Sequence, residues 1–285
     1  MAATARSGRV GAGAVFVIAA IVVALAIGRS KQATPAPDIG TGCLVHGAKF
    51  DVPLTTGQAG IAATIAGVAR LRSMPVRAVT IAYAAALQES DLENLPYGDR
   101  DSVGVFQQRP SQGWGTRAEL LNPVYASTRF FAALAAIPHY ESLPVYRAAQ
   151  AVQHSADGSA YDQYASEGTA MALGFAGGHG RSVWCWYGTG VPGRTRLAAA
   201  GRDLANAFGP LRVRRAGDPV AAVRVPSRTA GWAVAVWLMT HAASYHLGTV
   251  RFAGYQWTAA HGQRGWRKER PDHHRPAGKL TVAFG

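Results

Sequence analysis

Apolar residues recur every three to four positions in several segments of the chain, which is the spacing of an amphipathic helix. In residues 58–73 the repeat consists of Ile61, Ile65, Val68 and Leu71. A second helix is predicted after Pro75, because proline suits the first turn of a helix. The same spacing predicts five more helices, in a segment starting at Asn122 and in Pro144–His154, Tyr161–Met171, Thr195–Phe208 and Trp232–Tyr245.

Shorter segments have the composition of β-strands, mainly near the C-terminus. Strands are predicted at Thr249–Phe252, Tyr255–Trp257 and Leu280–Phe284, whereas the glycine-rich residues 174–193 are predicted to be irregular. Turn residues around Val103 allow a short hairpin at most. Together these features predict a mainly α-helical domain at 58–209 with a small β-hairpin, linkers at 31–57 and 210–229, and a small C-terminal α/β or α+β domain at 230–285.

An uncharged, apolar segment, Gly11–Gly28, lies near the N-terminus. As a helix it would be about 27 Å long, close to the ~30 Å hydrocarbon core of a membrane. Arg6 and Arg9 precede it, so residues 1–30 are either a secretory signal peptide or a transmembrane anchor. We favour an uncleaved anchor, because the apolar run is long for a signal peptide. Both interpretations place the rest of the chain outside the cytoplasm.

The charge of +13 is unevenly distributed along the chain. Residues 60–170 contain 8 basic and 10 acidic residues, whereas residues 211–285 contain 12 basic and 3 acidic ones. So basic a C-terminal part predicts contact with a polyanion such as an anionic cell-wall polymer, with a merely solvated basic surface as the alternative. Nucleic acid is not expected, because no nucleic-acid-binding motif is present.

Cys43 and Cys185 are the two cysteines of the chain. In an exported protein an even pair favours one disulfide bond. No spacing of cysteine and histidine suggests zinc, and Asp272-His273-His274 is the one local cluster with metal-binding residue types in the C-terminal part. Neither a metal nor a cofactor is expected.

Glu89 has the clearest candidate chemistry, since it stands at the C-terminal end of the second predicted helix. A glycosidic oxygen is a poor leaving group, so an enzyme must protonate it as the bond breaks. A glutamate does this at neutral pH when apolar surroundings disfavour its ionised form. The alanine-rich helix, together with Tyr97, Phe106 or Trp114, is expected to provide such surroundings.

Glu89-Ser90, followed by Ser102-x-Gly104-Val-Phe-Gln107-x-x-Pro110, resembles the signature of soluble lytic transglycosylases and goose-type lysozymes. The longer string from Glu89 to Thr116 is similar to a group of exported lysozyme-like proteins common in GC-rich Gram-positive bacteria. The resemblance covers about residues 58–190.

The resemblance implies a mainly α-helical fold with a small β-hairpin beside a cleft, and the glycan strand of peptidoglycan as the substrate. Glu89 would be the general acid and later the general base. Ser102 would support its carboxylate, and Gln107 would line the cleft. The other candidates for substrate binding are Tyr97, Gln108 and Trp114.

The chain departs from typical transglycosylases because their Ala-Tyr-Asn-x-Gly motif is missing. Gln150-Ala-Val-Gln153-His154-Ser155 stands in its place, where Gln153 either contacts substrate or lies on a helix surface. A transglycosylase needs Glu89 alone, because the sugar's own 6-hydroxyl attacks the anomeric carbon. A hydrolase needs a second carboxylate, for which Asp99 and Asp101 are the candidates, unless they are structural. The sequence leaves this choice open.

The C-terminal part resembles a small domain appended to secreted cell-wall hydrolases, on Gly231-Trp232, Trp237, Ala242–Tyr245, Gly248-x-Val250 and Gly265-Trp266. We expect it to be a non-catalytic, wall-associated module. The leading hypothesis is a membrane-anchored enzyme that cleaves the bond between muramic acid and glucosamine in peptidoglycan. The alternative is a wall-binding or scaffolding protein that keeps a lysozyme-like groove without turnover.

Overall fold

The computed structural model describes residues 40–154, 158–188, 190–217, 219–269 and 281–285. The predicted membrane anchor and the Asp272-His273-His274 cluster lie outside these ranges. In the part that is described, no helix has both the length and the apolar character needed to cross a membrane.

The α-helices of the described residues are α1 (Thr56–Leu71), α2 (Val76–Ser90), α3 (Arg117–Leu120), α4 (Pro123–Ala135), α5 (Val145–Gln153), α6 (Ala165–Phe175), α7 (Leu197–Phe208), α8 (Arg228–Thr240) and α9 (Ala242–Tyr245). The strands are β1 (Thr41–His46), β2 (Asp51–Leu54), β3 (Val183–Tyr187), β4 (Val213–Arg215), β5 (Ala221–Arg224), β6 (Thr249–Phe252), β7 (Tyr255–Thr258), β8 (Arg267–Lys268) and β9 (Thr281–Phe284). The described chain is therefore a mixed α/β fold.

Helix α2 lies at the centre of the helical part, because every side chain from Ala78 to Leu87 is buried. Its alanines let neighbouring helices approach closely. At Gly168 in α6, a Cβ atom would lie 2.9 Å from the carbonyl oxygen of Thr80. Tyr83 fixes α2 to α1, since its buried hydroxyl donates a 2.7 Å hydrogen bond to the carbonyl of Ala62.

The helices predicted from periodicity are present, with boundaries shifted by a few residues. Helix α1 begins at a capping box, in which Thr55 accepts from the backbone of Gln58 and the Gln58 side chain accepts from the backbone of Thr55. The predicted helix Tyr161–Met171 divides into a 3₁₀ turn at Ser159–Tyr164 and helix α6. The predicted hairpin consists of a single antiparallel bridge between Val103 and Gln108.

Strands β2, β1 and β3 form an antiparallel sheet in that order. Cys43 of β1 lies directly opposite Cys185 of β3, and a disulfide bond joins the two buried side chains. The predicted disulfide is confirmed. It connects residues that are 142 positions apart in the chain.

Three segments predicted to be linker or irregular chain contain strands, and the prediction of irregular chain at 174–193 is wrong for the strand residues. Strands β1 and β2 lie within 31–57, β3 lies within 174–193, and β4 and β5 lie within 210–229. Each strand has only three to six residues. Hydrophobic alternation over so few residues is a weak signal, and the pairing that stabilises β1 and β3 is made with distant residues.

The second sheet has the strand order β4-β5-β9-β6-β7-β8 and is antiparallel throughout. Helix α8 packs against β6 and β9 on one side and against α1 on the other. Trp237 of α8 donates a 3.2 Å hydrogen bond to the hydroxyl of Thr64 in α1. The helical part and the C-terminal part therefore share a buried interface, and the described residues belong to one compact unit.

Candidate active site

Glu89 lies in the last turn of α2, half-buried at the end of the apolar helix. The helix ends at Ser90, and the next two residues, Asp91 and Leu92, have left-handed φ values of 55° and 59° that turn the chain away. Gln58 fixes this end, because its amide donates a 2.8 Å hydrogen bond to the Asp91 carbonyl. The glutamine of the α1 capping box thus holds the backbone that follows Glu89.

Tyr161 is the hydrogen-bond donor to the candidate acid. Its hydroxyl lies 2.6 Å from Oε1 of Glu89, and the Tyr161 side chain is only 1 % exposed. A short O–H···O bond to a carboxylate is among the stronger hydrogen bonds in proteins. One carboxylate oxygen is therefore held in a fixed position by a rigid, buried ring.

The loop after α2 is attached to the same helix end. Ser90 donates a 2.7 Å hydrogen bond to the carbonyl of Val105. Gln153 donates a 2.7 Å hydrogen bond to the carbonyl of Phe106. The Phe106 ring stacks on Phe130 with 4.4 Å between the centroids. The loop is thus fixed beside Glu89 by both polar and apolar contacts.

Gly104 lets this loop pass close to the backbone of the last residue of α3. Its φ is +78°, which favours glycine, and a Cβ atom there would lie 2.4 Å from the carbonyl oxygen of Leu120. Its N–H donates a 2.7 Å hydrogen bond to the carbonyl of Leu95. The glycine in the sequence signature therefore has a structural reason to be at this position.

The two glutamines of the signature occupy different environments. Gln107 is half-buried with a φ of +48°, and its amide lies 3.1 Å from the carbonyl of Gly104 and 3.3 Å from that of Tyr97. Gln108 is only 3 % exposed, and its amide donates to the carbonyl of Ala126 at 3.4 Å. Gln107 is therefore the one of the two with side-chain surface open to a ligand.

The other predicted ligand-binding residues are distributed around this loop. Tyr97 is 68 % exposed, whereas Ser102 is buried. Trp114 is half-buried, and its carbonyl accepts hydrogen bonds from Tyr125 and Arg129. The amide nitrogen of Gln153 donates a hydrogen bond to the Phe106 carbonyl, and this bond helps to position the loop.

The two candidate second acids differ in their surroundings. Asp101 accepts hydrogen bonds from Arg109 and from both the backbone N–H and the hydroxyl of Ser111, at 2.7 to 2.9 Å. The Ser111 N–H, followed by Arg109, lowers the pKa of Asp101 to about 2. Asp99 is 91 % exposed in its side chain and lies 3.8 Å from Arg100. The Asp101 carboxylate thus holds the turn together through its hydrogen bonds, whereas the Asp99 side chain is exposed to solvent.

Tyr161 was not singled out as a site residue by sequence reasoning, which assigned it to the start of a helix. It lies 72 positions after Glu89 and belongs to a 3₁₀ turn, so neither motif nor periodicity relates the two. The only signal in the sequence is a tyrosine close to the Gln150–Ser155 segment that replaces the missing motif.

A scan against protein-family models gives no match to this chain, and a search of curated proteins gives no significant match. Within the described ranges, no group of three or more His, Cys, Asp or Glu residues is arranged to hold a metal ion. The functional interpretation therefore depends on the residues of the site.

Proposed function

We propose that this protein cleaves the glycan strands of peptidoglycan with Glu89 as the single general acid and base. The observation that carries the proposal is the setting of Glu89, a half-exposed carboxylate at the end of a buried helix, held by the buried Tyr161 hydroxyl at 2.6 Å. The adjoining loop carries the resemblance to lytic transglycosylases and goose-type lysozymes. A lysozyme-like fold for the helical part belongs to the same proposal.

In the proposed reaction Glu89 gives its proton to the glycosidic oxygen, and the bond from that oxygen to the anomeric carbon breaks. The 6-hydroxyl of the same sugar then attacks the anomeric carbon, and Glu89 takes the proton of that hydroxyl. Glu89 is thereby restored for the next cycle. This single-carboxylate route is favoured because Asp101 is engaged by Arg109 and Ser111.

The product distinguishes this route from hydrolysis. If a water molecule attacks in place of the 6-hydroxyl, the new end is a reducing sugar and not a 1,6-anhydro sugar. Exposed Tyr97 and partly exposed Gln107 flank the same loop and are the residues we assign to glycan contact. The disulfide between Cys43 and Cys185 agrees with a location outside the cytoplasm, where such bonds persist.

The proposal is tested by incubating the purified full-length chain with peptidoglycan and determining the mass of the released fragments. We expect anhydro-muropeptides from the native chain and none from Glu89→Gln. Glu93→Gln is the matched control, because Glu93 is an exposed glutamate four positions further along the chain, and the substitution keeps its backbone hydrogen bond to Ser90. Equal activity of native chain and Glu89→Gln, or no activity in either, would contradict the proposal.

We further assign the basic C-terminal part to contact with anionic wall polymers. A cavity of about 320 Å³ beside β7 and β8 has three basic residues, Arg264, Arg267 and Lys268, and one acidic residue, Glu269, in its lining. Charge attraction of this kind is screened by salt. Wall binding that falls between 50 and 500 mM salt, equally in the native chain and Glu89→Gln, is the expected result, and salt-independent binding would contradict it.

A further inference from the structure

The second sheet has one buried face and one open face. Side chains alternate between the two faces of a strand, and directly opposed residues of neighbouring strands share a face. Helix α8 packs on the buried face, where its Gly231 lies against the Phe252 ring. The residues of this face are at most 3 % exposed and include Val223, Val250, Phe252, Trp257 and Val282. The alternate positions of the same strands form the opposite face, which carries polar and small side chains.

A continuous row of opposed residues crosses the open face from one edge strand to the other. In the order of the strands, the register gives Arg214 (β4), Ala222 (β5), Ala283 (β9), Arg251 (β6), Gln256 (β7) and Arg267 (β8). The row crosses five inter-strand spacings, a length of about 24 Å. Arg224 lies two positions after Ala222 and therefore on the same face. An arginine thus stands at each edge of the sheet, with two more between the edges.

Three of these four arginines have no carboxylate partner within the described residues. Arg251 is paired, with 3.2 Å between its Nε and Oε1 of Glu269. In the described part of the chain no ion pair involves Arg214, Arg224 or Arg267, and all three are exposed. The open face therefore has a net positive charge, and it favours an anion that is long enough to reach both edges.

The cavity of about 320 Å³ lies at the β8 end of this row. Its lining includes Gln256 and Arg267 of the row, together with Arg264 and Lys268. The cavity thus adds two further cations to one end of the open face. It forms one end of a larger surface, because the row continues from it across the whole sheet.

The composition of the open face indicates which kind of polyanion it suits. Its described strand residues include no aromatic side chain, so they offer no stacking surface for the bases of single-stranded nucleic acid. None of the large apolar side chains exposed in the described ranges belongs to this sheet, so insertion into a membrane is not favoured. Arginine guanidinium groups bind phosphate oxygens in a bidentate manner. A linear phosphate polymer without bases therefore fits this face.

We propose that the open face of the second sheet is a docking surface for a linear polymer of phosphate groups, bound across the strands from Arg214 to Arg267. The identity of this polymer as an anionic wall polymer rests on the proposed function, whereas the binding itself does not involve Glu89. One polymer chain makes several weak contacts at once. Its affinity therefore increases with length until the chain spans the row.

The test measures the fluorescence anisotropy of labelled polyphosphate with the full-length chain at several salt concentrations. Arg214→Gln and Arg215→Gln form a matched pair, because the two residues are adjacent in β4, carry the same charge and are both exposed. Arg215 lies opposite Ala221, on the other face of the sheet. Diffuse attraction to a basic protein predicts equal effects of the two substitutions, whereas docking on the open face predicts unequal ones.

We expect Arg214→Gln to weaken polyphosphate binding ~5-fold and to lower the slope of log affinity against log salt by ~1, because one phosphate contact is lost. Arg215→Gln should weaken binding less than ~2-fold, because its charge acts only through screened solvent. The effects of Arg214→Gln and Arg267→Gln should multiply, since these residues lie at opposite edges. Tripolyphosphate is too short to span the row and should bind at least ~10-fold more weakly than long polyphosphate.

Equal losses in Arg214→Gln and Arg215→Gln, or no binding of polyphosphate to the native chain, would overturn the inference. Single-stranded DNA that binds more tightly than polyphosphate, with the same sensitivity to Arg214→Gln, would overturn it as well, because the face would then be a nucleic-acid site. Failure of the proposed function is a different result, since the native chain would then not cleave peptidoglycan while polyphosphate binding stays sensitive to Arg214→Gln.

Discussion

Replacing Tyr161 with phenylalanine removes one oxygen atom and leaves the buried ring in place. The lost group is the donor to Oε1 of Glu89 at 2.6 Å. Glu89 would remain half-buried without this partner. The substitution therefore tests directly whether the contact is an energetic link between the 3₁₀ turn and α2.

The size of the effect follows from the type of bond. A hydrogen bond to a charged group contributes about 1.5–3 kcal/mol. Because Glu89 is only half-buried, we expect the lower part of this range, about 1.5–2 kcal/mol. At ~2–4 °C per kcal/mol for a unit of this size, Tyr161→Phe should lower the midpoint of thermal unfolding by about 3–8 °C.

The assay is a double-mutant cycle in urea with the native chain, Tyr161→Phe, Glu89→Ala and the double variant. The coupling energy should be about 1.5–2 kcal/mol if the two side chains stabilise each other. Tyr146→Phe is the control, because its hydroxyl contacts the neighbouring Arg147. A coupling energy below ~0.5 kcal/mol, within the error of additivity, would refute the reasoning.

The same variant should reduce glycan cleavage by about tenfold, the equivalent of ~1.4 kcal/mol, because the acid is less well positioned. Tyr146→Phe should leave cleavage unchanged. If Tyr161→Phe lost stability but kept full activity, the hydroxyl would be structural only.

Three further outcomes are expected. Replacing Cys43 and Cys185 by alanine should lower the free energy of unfolding, measured in urea, by about 5 kcal/mol, because the disulfide bond closes a loop of 142 residues. A loss below ~1 kcal/mol would contradict this expectation. Asp101→Asn should destabilise the fold at pH 7 and not at pH 2. The pKa of Asp101 is about 2 in the folded chain, below its ordinary value of 3.8, so the ionised carboxylate stabilises the fold at neutral pH. This contribution is lost as the pH falls from 3.8 to 2. The Asp101→Asn variant should still cleave the glycan, and loss of cleavage would make Asp101 the second acid. Gln153→Ala should cost about 1 kcal/mol in urea, because the Phe106 carbonyl loses its donor; no change would mean that Gln153 does not hold the loop.

Local sequence patterns were sufficient for the helices and for the position of Glu89. Helix α2 is largely apolar and contains five alanines between Ala78 and Ala86, and the proline before it and the left-handed residues after it set its ends. Side chains three and four positions apart share one face of a helix, so burial of that face is visible in the sequence. The disulfide could be predicted because a chain with two cysteines has only one possible pairing.

The short strands could not be predicted in the same way. Strand β4 has three residues and β1 has six, and each is stabilised by hydrogen bonds to residues elsewhere in the chain. Such strands depend on the partner more than on their own composition. Strand β1, which lies in the segment predicted to be a linker at 31–57, pairs in this way with β3.

The sequence by itself determined most of the helical segments, and it placed Glu89 at a helix end followed by a glycine-containing loop. Only the tertiary structure decided that Tyr161 donates to Glu89 and that Gln153 supports the loop through the Phe106 carbonyl. It alone brought α7 and α8 into contact. The physical reason is distance along the chain, because periodicity records which face of an element is buried and carries no information on what that face meets.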